Sequence, residues 1–284
     1  MQLSRFQIRR QFMADTVLCA NSQVRKIMNS NFKVREIDID GIKIGGKNAI
    51  IIAGPCSVES QDQIIQIAKA AKAAGANMLR GGIFKPRTNP NDFQGLGIKG
   101  LEYLLEAKRQ TGLPIVTELM DTQHLDAFIK HVDIIQIGSR NMYNYSLLKA
   151  VGETKKPILL KRGFSATIRE WILAAEHIAK AGNENIIFCE RGIRTFEEYT
   201  RNTLDLTAVP IIQKETGYPI IVDPSHGTGI RALVGIMSEA AIACGANGLL
   251  IEAHTHPEQS ISDKDQTIDI GELEQITKRI ALLK

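Results

Sequence analysis

Eight short aliphatic runs punctuate the chain from residue 49 onward, and each is followed by enough residues to form a helix. In order they read AIIIAG, NMLRGG, PIVTEL, DIIQIGS, PILLKRG, NIIFCERG, PIIVDPSH and GLLIEAH. Runs this continuously apolar suit strands buried on both faces, as in parallel sheets. Parallel neighbours need a crossover, and amphipathic stretches such as QDQIIQIAKAAKAAGA supply one at helical spacing. Eight such units in about 230 residues predict a closed (β/α)8 TIM barrel rather than an open doubly wound sheet. Ahead of them VREIDIDGIKIGG, residues 34–46, alternates apolar and polar positions about Asp40-Gly41, a strong hairpin signal. Residues 1–31 hold apolar positions at loosely helical spacing and no glycine, which predicts a helical or partly ordered arm. The domain reading is therefore an arm over 1–31 and one catalytic barrel over 32–284, hairpin included.

Composition removes several classes of function. The net charge of +4 is dispersed and aromatics make up only 5% of the chain, so the basic, aromatic-interleaved stripe of a nucleic-acid groove is missing. No apolar run approaches the roughly 18 residues of a membrane span. Arg5, Arg9 and Arg10 interrupt the N-terminus before an apolar signal core can form. The four cysteines, at 19, 56, 189 and 244, show no C-x-x-C, which predicts reduced thiols and a cytoplasmic setting.

Barrel enzymes place their chemistry at the C-terminal strand ends, so the residues at the exit of each run matter most. The exits present Cys56, Arg80 with Lys85, Glu118, Ser139-Arg140, Lys161, Arg191, His226, and Glu252 with Asp263 further on. Solvent contact alone explains two or three polar strand ends, but not five cations and four potential ligands at one mouth. Gathering Arg80, Lys85, Arg140, Lys161 and Arg191 costs free energy unless anions normally fill the space between them. Guanidinium groups bind phosphate and carboxylate bidentately, so the expected ligand carries several negative charges. Cys56, His226, Glu252 and Asp263 combine thiolate, imidazole and carboxylate, a set suited to a borderline divalent metal ion such as Mn, Fe, Co or Zn. Such an ion could polarise a carbonyl as a Lewis acid. His254 and His256 are ligands by type, but are read as loop residues. In FKPRTNP (84–90) two prolines stiffen a loop whose Lys85, Arg87 and Thr88 offer donors for a second anion.

At these residues the chain closely resembles the 3-deoxy-D-arabino-heptulosonate 7-phosphate (DAHP) synthase family, in its shorter microbial subtype. The matching stretches are AGPCSVES, LRGGIFKPRTNPNDFQGLG, TELMD, QIGSRNM, LLKRG, CERGIRTF, DPSHGTG and IEAHTHPEQSISDKDQ. The resemblance implies condensation of phosphoenolpyruvate with erythrose 4-phosphate, the entry step of the shikimate pathway to chorismate and the aromatic amino acids. It implies that Cys56, His226, Glu252 and Asp263 hold the metal, and that Arg80 and Lys85 hold the phosphoenolpyruvate carboxylate. The backbone at Ser139-Arg140, with Lys161 and Arg191, would take its phosphate. Arg87 and Thr88 would take the aldose phosphate, Glu118 would position the attacking water, and Lys85 or a metal-bound water would protonate the new alkoxide. A homodimer or homotetramer is expected by the same analogy.

Rival readings differ at identifiable residues. The sister octulosonate synthases, which use arabinose 5-phosphate, read Lys-Ala-Asn-Arg-Ser-Ser where this chain reads KPRTNP. A Schiff-base aldolase would use Lys161 as nucleophile and leave the ligand set without purpose. A catalytically silent barrel that binds phosphorylated metabolites would be expected to have lost a ligand, and none is lost. Ser139 stands where the family usually has alanine, a change that a backbone contact tolerates. The loop after Glu252 reads HTHPE where a His-Pro-Glu-Pro-Glu-like stretch is common, with the Glu252–Asp263 spacing kept. Residues 1–47 are too short for a fused sensor domain, so no feedback inhibition through one is expected.

Overall fold

The hairpin forms where the Asp-Gly signal lies. Strands β1 (Ile37–Ile39) and β2 (Ile42–Ile44) pair antiparallel, Ile37 opposite Ile44. Asp40 and Gly41 both have positive φ, 51° and 89°, as a two-residue hairpin turn requires. The Gly41 N–H donates to Asp38 Oδ1 at 2.8 Å. The structure, a computed structural model, describes residues 33–87 and 89–283. The arm expected over 1–31 and the candidate ligand-binding residue Thr88 lie outside the described residues.

The eight aliphatic runs become β3 (Ile50–Gly54), β4 (Met78–Arg80), β5 (Ile115–Glu118), β6 (Ile134–Ile137), β7 (Ile158–Lys161), β8 (Ile186–Glu190), β9 (Ile220–Val222) and β10 (Gly248–Glu252). All neighbours are parallel, and β10 pairs with β3 to close the barrel. Eight crossover helices surround it: α1 (Gln61–Ala73), α2 (Ile98–Thr111), α3 (Leu125–His131), α4 (Tyr145–Gly152), α5 (Ile168–Lys180), α6 (Ala208–Thr216), α8 (Arg231–Ala243) and α9 (Ile270–Ala281). A further short helix, α7 (Pro224–Thr228), comes directly after β9. Local sequence sets the helix starts. Ser60 caps α1, and Thr167/Glu170 and Asp269/Glu272 form capping boxes at α5 and α9.

The apolar side chains separate into two layers. One lies between strands and helices, and includes Leu79, Ile135, Trp171 and Phe188. The other fills the barrel interior with Ile52, Met78, Val116, Ile134, Leu159 and Leu250, and takes in Ile37, Ile39 and Ile44 of the hairpin. The hairpin thus packs where interior strands begin, such as β4 at Met78 and β6 at Ile134, and plugs the bottom of the barrel. Function is left to the other end.

Candidate active site

Side chains alternate along a strand, so each interior apolar residue predicts an inward neighbour two positions on. Met78 leads to Arg80, Val116 to Glu118, Ile134 to Gln136, Leu159 to Lys161, Cys189 to Arg191, Ile221 to Asp223 and Leu250 to Glu252. The strands therefore deliver a polar ring above an apolar interior. On β3 the corresponding residue is Gly54, with φ 154°, and a Cβ there would meet the Arg80 carbonyl oxygen at 2.1 Å. Only glycine lets the chain pass this close, and Pro55 then carries Cys56 to a buried position at the mouth. The ring opens into a cavity of ≈ 420 Å³ lined by Arg80, Lys85, Arg140, Lys161, Arg191, His226 and their neighbours.

On one side lies the donor set read from sequence. Cys56, Glu252 and Asp263 bring one ligand atom each within 4.8 Å of one another. His226 joins them through Glu252, its Nε2 lying 3.3 Å from Glu252 Oε1. Burial lowers the His226 pKa against Asp223 and Glu252, which raise it, and Nδ1 lies 2.7 Å from Asp223 Oδ2, the acceptor that assigns a proton to Nδ1. Nε2 and Oε1 thus lie side by side, two atoms of types that can ligate a metal ion. The Cys56 thiol bonds to Asp263 Oδ2 at 3.1 Å. Lys85 Nζ donates to Cys56 Sγ and, at 2.6 Å, to Asp263 Oδ2, so an ammonium already sits among these donors. Burial pushes the Cys56 pKa up, with Glu252 adding to the rise, so the thiol keeps its proton in this arrangement. Burial alone would raise Glu252 too, but His226, Arg80 and Lys85 outweigh it and hold it at about 2. The donor types and their proximity fit a divalent ion of the kind expected from sequence.

Asp223 links this side to the next. Its Oδ1 accepts from the His226 backbone N–H, and its Oδ2 accepts from Lys161 Nζ at 2.6 Å. Although buried, its carboxyl is held well below the usual range, because the His226 and Lys161 interactions outweigh desolvation. Such a carboxylate–histidine pair fixes the tautomer and ring orientation of a ligand.

The opposite side is cationic. Arg140 and Arg191 lie over the Phe164 ring at 5.2 and 4.9 Å, and Arg194 approaches it at 4.7 Å. Among the described residues no carboxylate pairs with Arg140 or Arg191. Desolvation lowers the pKa of Arg191, the direction expected for a buried cation short of negative charge. Glu118 stands between the two sides. Gln136 Nε2 donates to its carboxylate at 3.1 Å, and burial raises its pKa more than Lys161 and Lys85 lower it. Arg80 bonds Glu252 Oε1 at 2.7 Å and the Cys56 carbonyl at 3.1 Å. Arg87 pairs with Asp92 at 3.0 Å.

Of the described candidates all but Glu252 line one cavity, and Glu252 lies buried beside it against Arg80 and His226. His254 and His256 stand apart from the ligand cluster: buried His254 lies beside Gln63, and His256 is exposed beside Glu258. Sequence reading did not single out Asp223, Gln136, Phe164, Asp92 or Arg201, whose Nη1 donates to Asp263 Oδ1 at 3.2 Å. Period-2 counting from Ile134 and Ile221 could have found Gln136 and Asp223, but the other three are placed by loops.

The sequence matches the DAHP synthetase I family over residues 24–282. The chain belongs to this family. It is 50% identical over 273 residues to the phospho-2-dehydro-3-deoxyheptonate aldolase of Thermotoga maritima, covering 93% of this chain and 81% of that protein. The crystal structure of the Thermotoga enzyme, described as a DAHP synthase, superposes with a TM-score of 0.84 at 51% identity, over 88% of this chain and 74% of that one. A truncated form of the Thermotoga synthase gives 0.82 at 47% identity, over 88% and 92%. Identity falls to 30% over 265 residues against the 2-dehydro-3-deoxyphosphooctonate aldolase of a Geobacter species, over 87% of this chain and 96% of that protein.

Proposed function

We propose that the chain condenses phosphoenolpyruvate with erythrose 4-phosphate and water, giving DAHP and inorganic phosphate, at the head of aromatic biosynthesis. The observation that carries this reading is the division of one cavity into a metal-type donor cluster and a cationic pole where Arg140 and Arg191 have no carboxylate partner among the described residues. The 50% identity to the heptulosonate enzyme, against 30% to the octulosonate one, supports the four-carbon aldose.

In this reading Lys161, Arg191 and the backbone at Ser139-Arg140 hold the phosphate of phosphoenolpyruvate. Arg80 and Lys85 hold its carboxylate, while Arg87 with Thr88 holds the aldose phosphate. Cys56, His226, Glu252 and Asp263 would hold a divalent ion, Mn, Fe, Co or Zn, which would supply Lewis acidity toward the aldehyde oxygen. C3 of phosphoenolpyruvate attacks the aldehyde carbon and positive character develops at C2. Lys85, already seated among the donors, gives a proton to the new alkoxide. Glu118 orients water onto C2 and takes its proton. In the tetrahedral adduct the C2–O bond to the phosphate breaks as the C2 hydroxyl proton passes to the departing phosphate, leaving a C2 ketone. Lys161 and Arg191 stabilise the charge of the phosphate. The reading includes one catalytic domain over 32–284, a homodimer or homotetramer, and a cytoplasmic location. Among the described residues no helix is long and apolar enough to cross a membrane.

Phosphate release measured with erythrose 4-phosphate and with arabinose 5-phosphate, before and after EDTA and then with Mn(II), tests this. Turnover of erythrose 4-phosphate that EDTA abolishes and Mn(II) restores is expected. Preference for arabinose 5-phosphate overturns the substrate, and turnover in protein shown to be metal-free overturns the metal.

A further inference from the structure

The cations of the cavity differ in what their carboxylate partners do elsewhere. Asp263 and Glu252, paired with Lys85 and Arg80, belong to the donor cluster. Asp223, paired with Lys161, also holds His226. Asp92 is different: its side chain bonds only Arg87 and Asn89, both on its own loop, among the described residues. Its Oδ2 accepts from Arg87 Nε at 3.2 Å and from Nη2 at 3.0 Å. That is the Nε–Nη2 edge of the guanidinium, one of the two forked edges through which arginine grips phosphate bidentately. The turn Asn89–Asp92, closed by the Asp92 N–H on the Asn89 carbonyl at 3.2 Å, aims the carboxylate there. Arg87, Asn89 and Asp92 all line the cavity.

We propose that Asp92 is a positioning residue that occupies the phosphate-gripping edge of Arg87 and must be displaced by the phosphate of the aldose. This rests on the reading of Arg87 as the aldose-phosphate ligand. The pair keeps Arg87 presented at the mouth while no sugar is bound. It also sets a threshold, because a phosphate dianion competes with a carboxylate for a guanidinium better than monoanions do. Once displaced, Asp92 is repelled by the dianion. Affinity for the aldose is therefore the difference between two ion pairs, while phosphoenolpyruvate, held elsewhere, does not feel the exchange.

The test is steady-state kinetics of the full chain with Mn(II), varying each substrate separately. Asp92→Asn should lower the KM for erythrose 4-phosphate about two- to fivefold, the range of a partly exposed ion pair. The KM for phosphoenolpyruvate should stay unchanged, and Asp92→Glu should behave like wild type. In an Arg87→Ala background, Asp92→Asn should lose its effect, since the two residues act through one contact. A KM for erythrose 4-phosphate that stays constant or rises in Asp92→Asn overturns the proposal, and a rise would mean that Asp92 holds Arg87 in its productive pose. Failure of the underlying reading shows separately, as wild-type protein that does not turn over erythrose 4-phosphate at all, and it removes this proposal as well.

Discussion

Glu118 carries two demands that pull in opposite directions. As the group that orients water it is useful ionised, yet burial raises its pKa more than Lys161 and Lys85 lower it. A carboxyl raised on folding contributes stability that is fully present below its unfolded value and is lost as pH rises through the folded value. Ionised Glu118 is thus a cost near neutral pH. Glu118→Gln should raise Tm by roughly 1–3 °C at about pH 8, and the gain should vanish near pH 4, while phosphate release collapses. Thermal melts across pH read this directly, and a gain independent of pH would mean that packing, not charge, is responsible. Asp223 makes the converse case, because one carboxylate serves both Lys161 and His226. Asp223→Asn should weaken Mn(II) binding or turnover by about 10–100-fold, as loss of such a ligand-orienting carboxylate does. Titration with Mn(II) and kcat measured together would show which. The sequence displayed the ligand and cation types at the strand exits, because residue type and strand position are both local. It did not display the partner of each charge, since the pairs Lys161–Asp223 and Arg80–Glu252 join strands far apart in sequence that only the folded barrel brings together.

At the scale of elements, the strand exits work because close approaches are reserved for small residues. Gly138, just after β6, has φ −73° and ψ 164°, which any residue adopts, but a Cβ there would lie 2.0 Å from Glu118 Oε1. The obstacle is the end of a side chain rather than backbone. Gly138→Ala should therefore fold with little change in Tm, displace the Glu118 carboxylate and cut kcat about 10–100-fold, as a misplacement near 1 Å does. A silent Gly138→Ala would argue that Glu118 is not held where the chemistry needs it. The hairpin at the other end should show the opposite behaviour. Ile44 is completely buried in the interior cluster, so Ile44→Ala should cost about 2–4 kcal/mol in denaturant unfolding and leave both KM values unchanged. The strands and the hairpin were legible because each is a local pattern with its own punctuation, a continuous apolar run in the barrel and a period of 2 about a turn signal in the hairpin. The plugging role of the hairpin was not, because β1 alternates buried, exposed, buried and would look alike against any apolar surface.

For the whole molecule, the question is what holds so many charges together before substrate and ion arrive. Eight aliphatic runs made the barrel legible, since their spacing leaves few other ways to bury strands on both faces. The sequence did not show that the donor side of the cavity would be neutralised internally while Arg140 and Arg191 have no carboxylate partner among the described residues. The donors Glu252 and Asp263 are each matched by a cation, Arg80 at 2.7 Å and Lys85 at 2.6 Å. Among the described residues no buried side-chain nitrogen or oxygen lacks a hydrogen-bond partner. A buried charge left unpaired would cost several kcal/mol, so this pairing allows the barrel to fold without an ion. It also means that an ion competes with Lys85 for Asp263 and Cys56, so its contribution to stability is only the surplus over that pairing. Protein stripped with EDTA should keep its far-UV circular dichroism and a cooperative melt while losing phosphate release. Adding Mn(II) to about 100 times its Kd should raise Tm by about 4–5 °C, the mass-action stabilisation expected of a ligand that binds only the folded state. If chelation instead unfolds the chain, the ion is part of the fold, and the Lys85 and Arg80 pairs do not stand in for it.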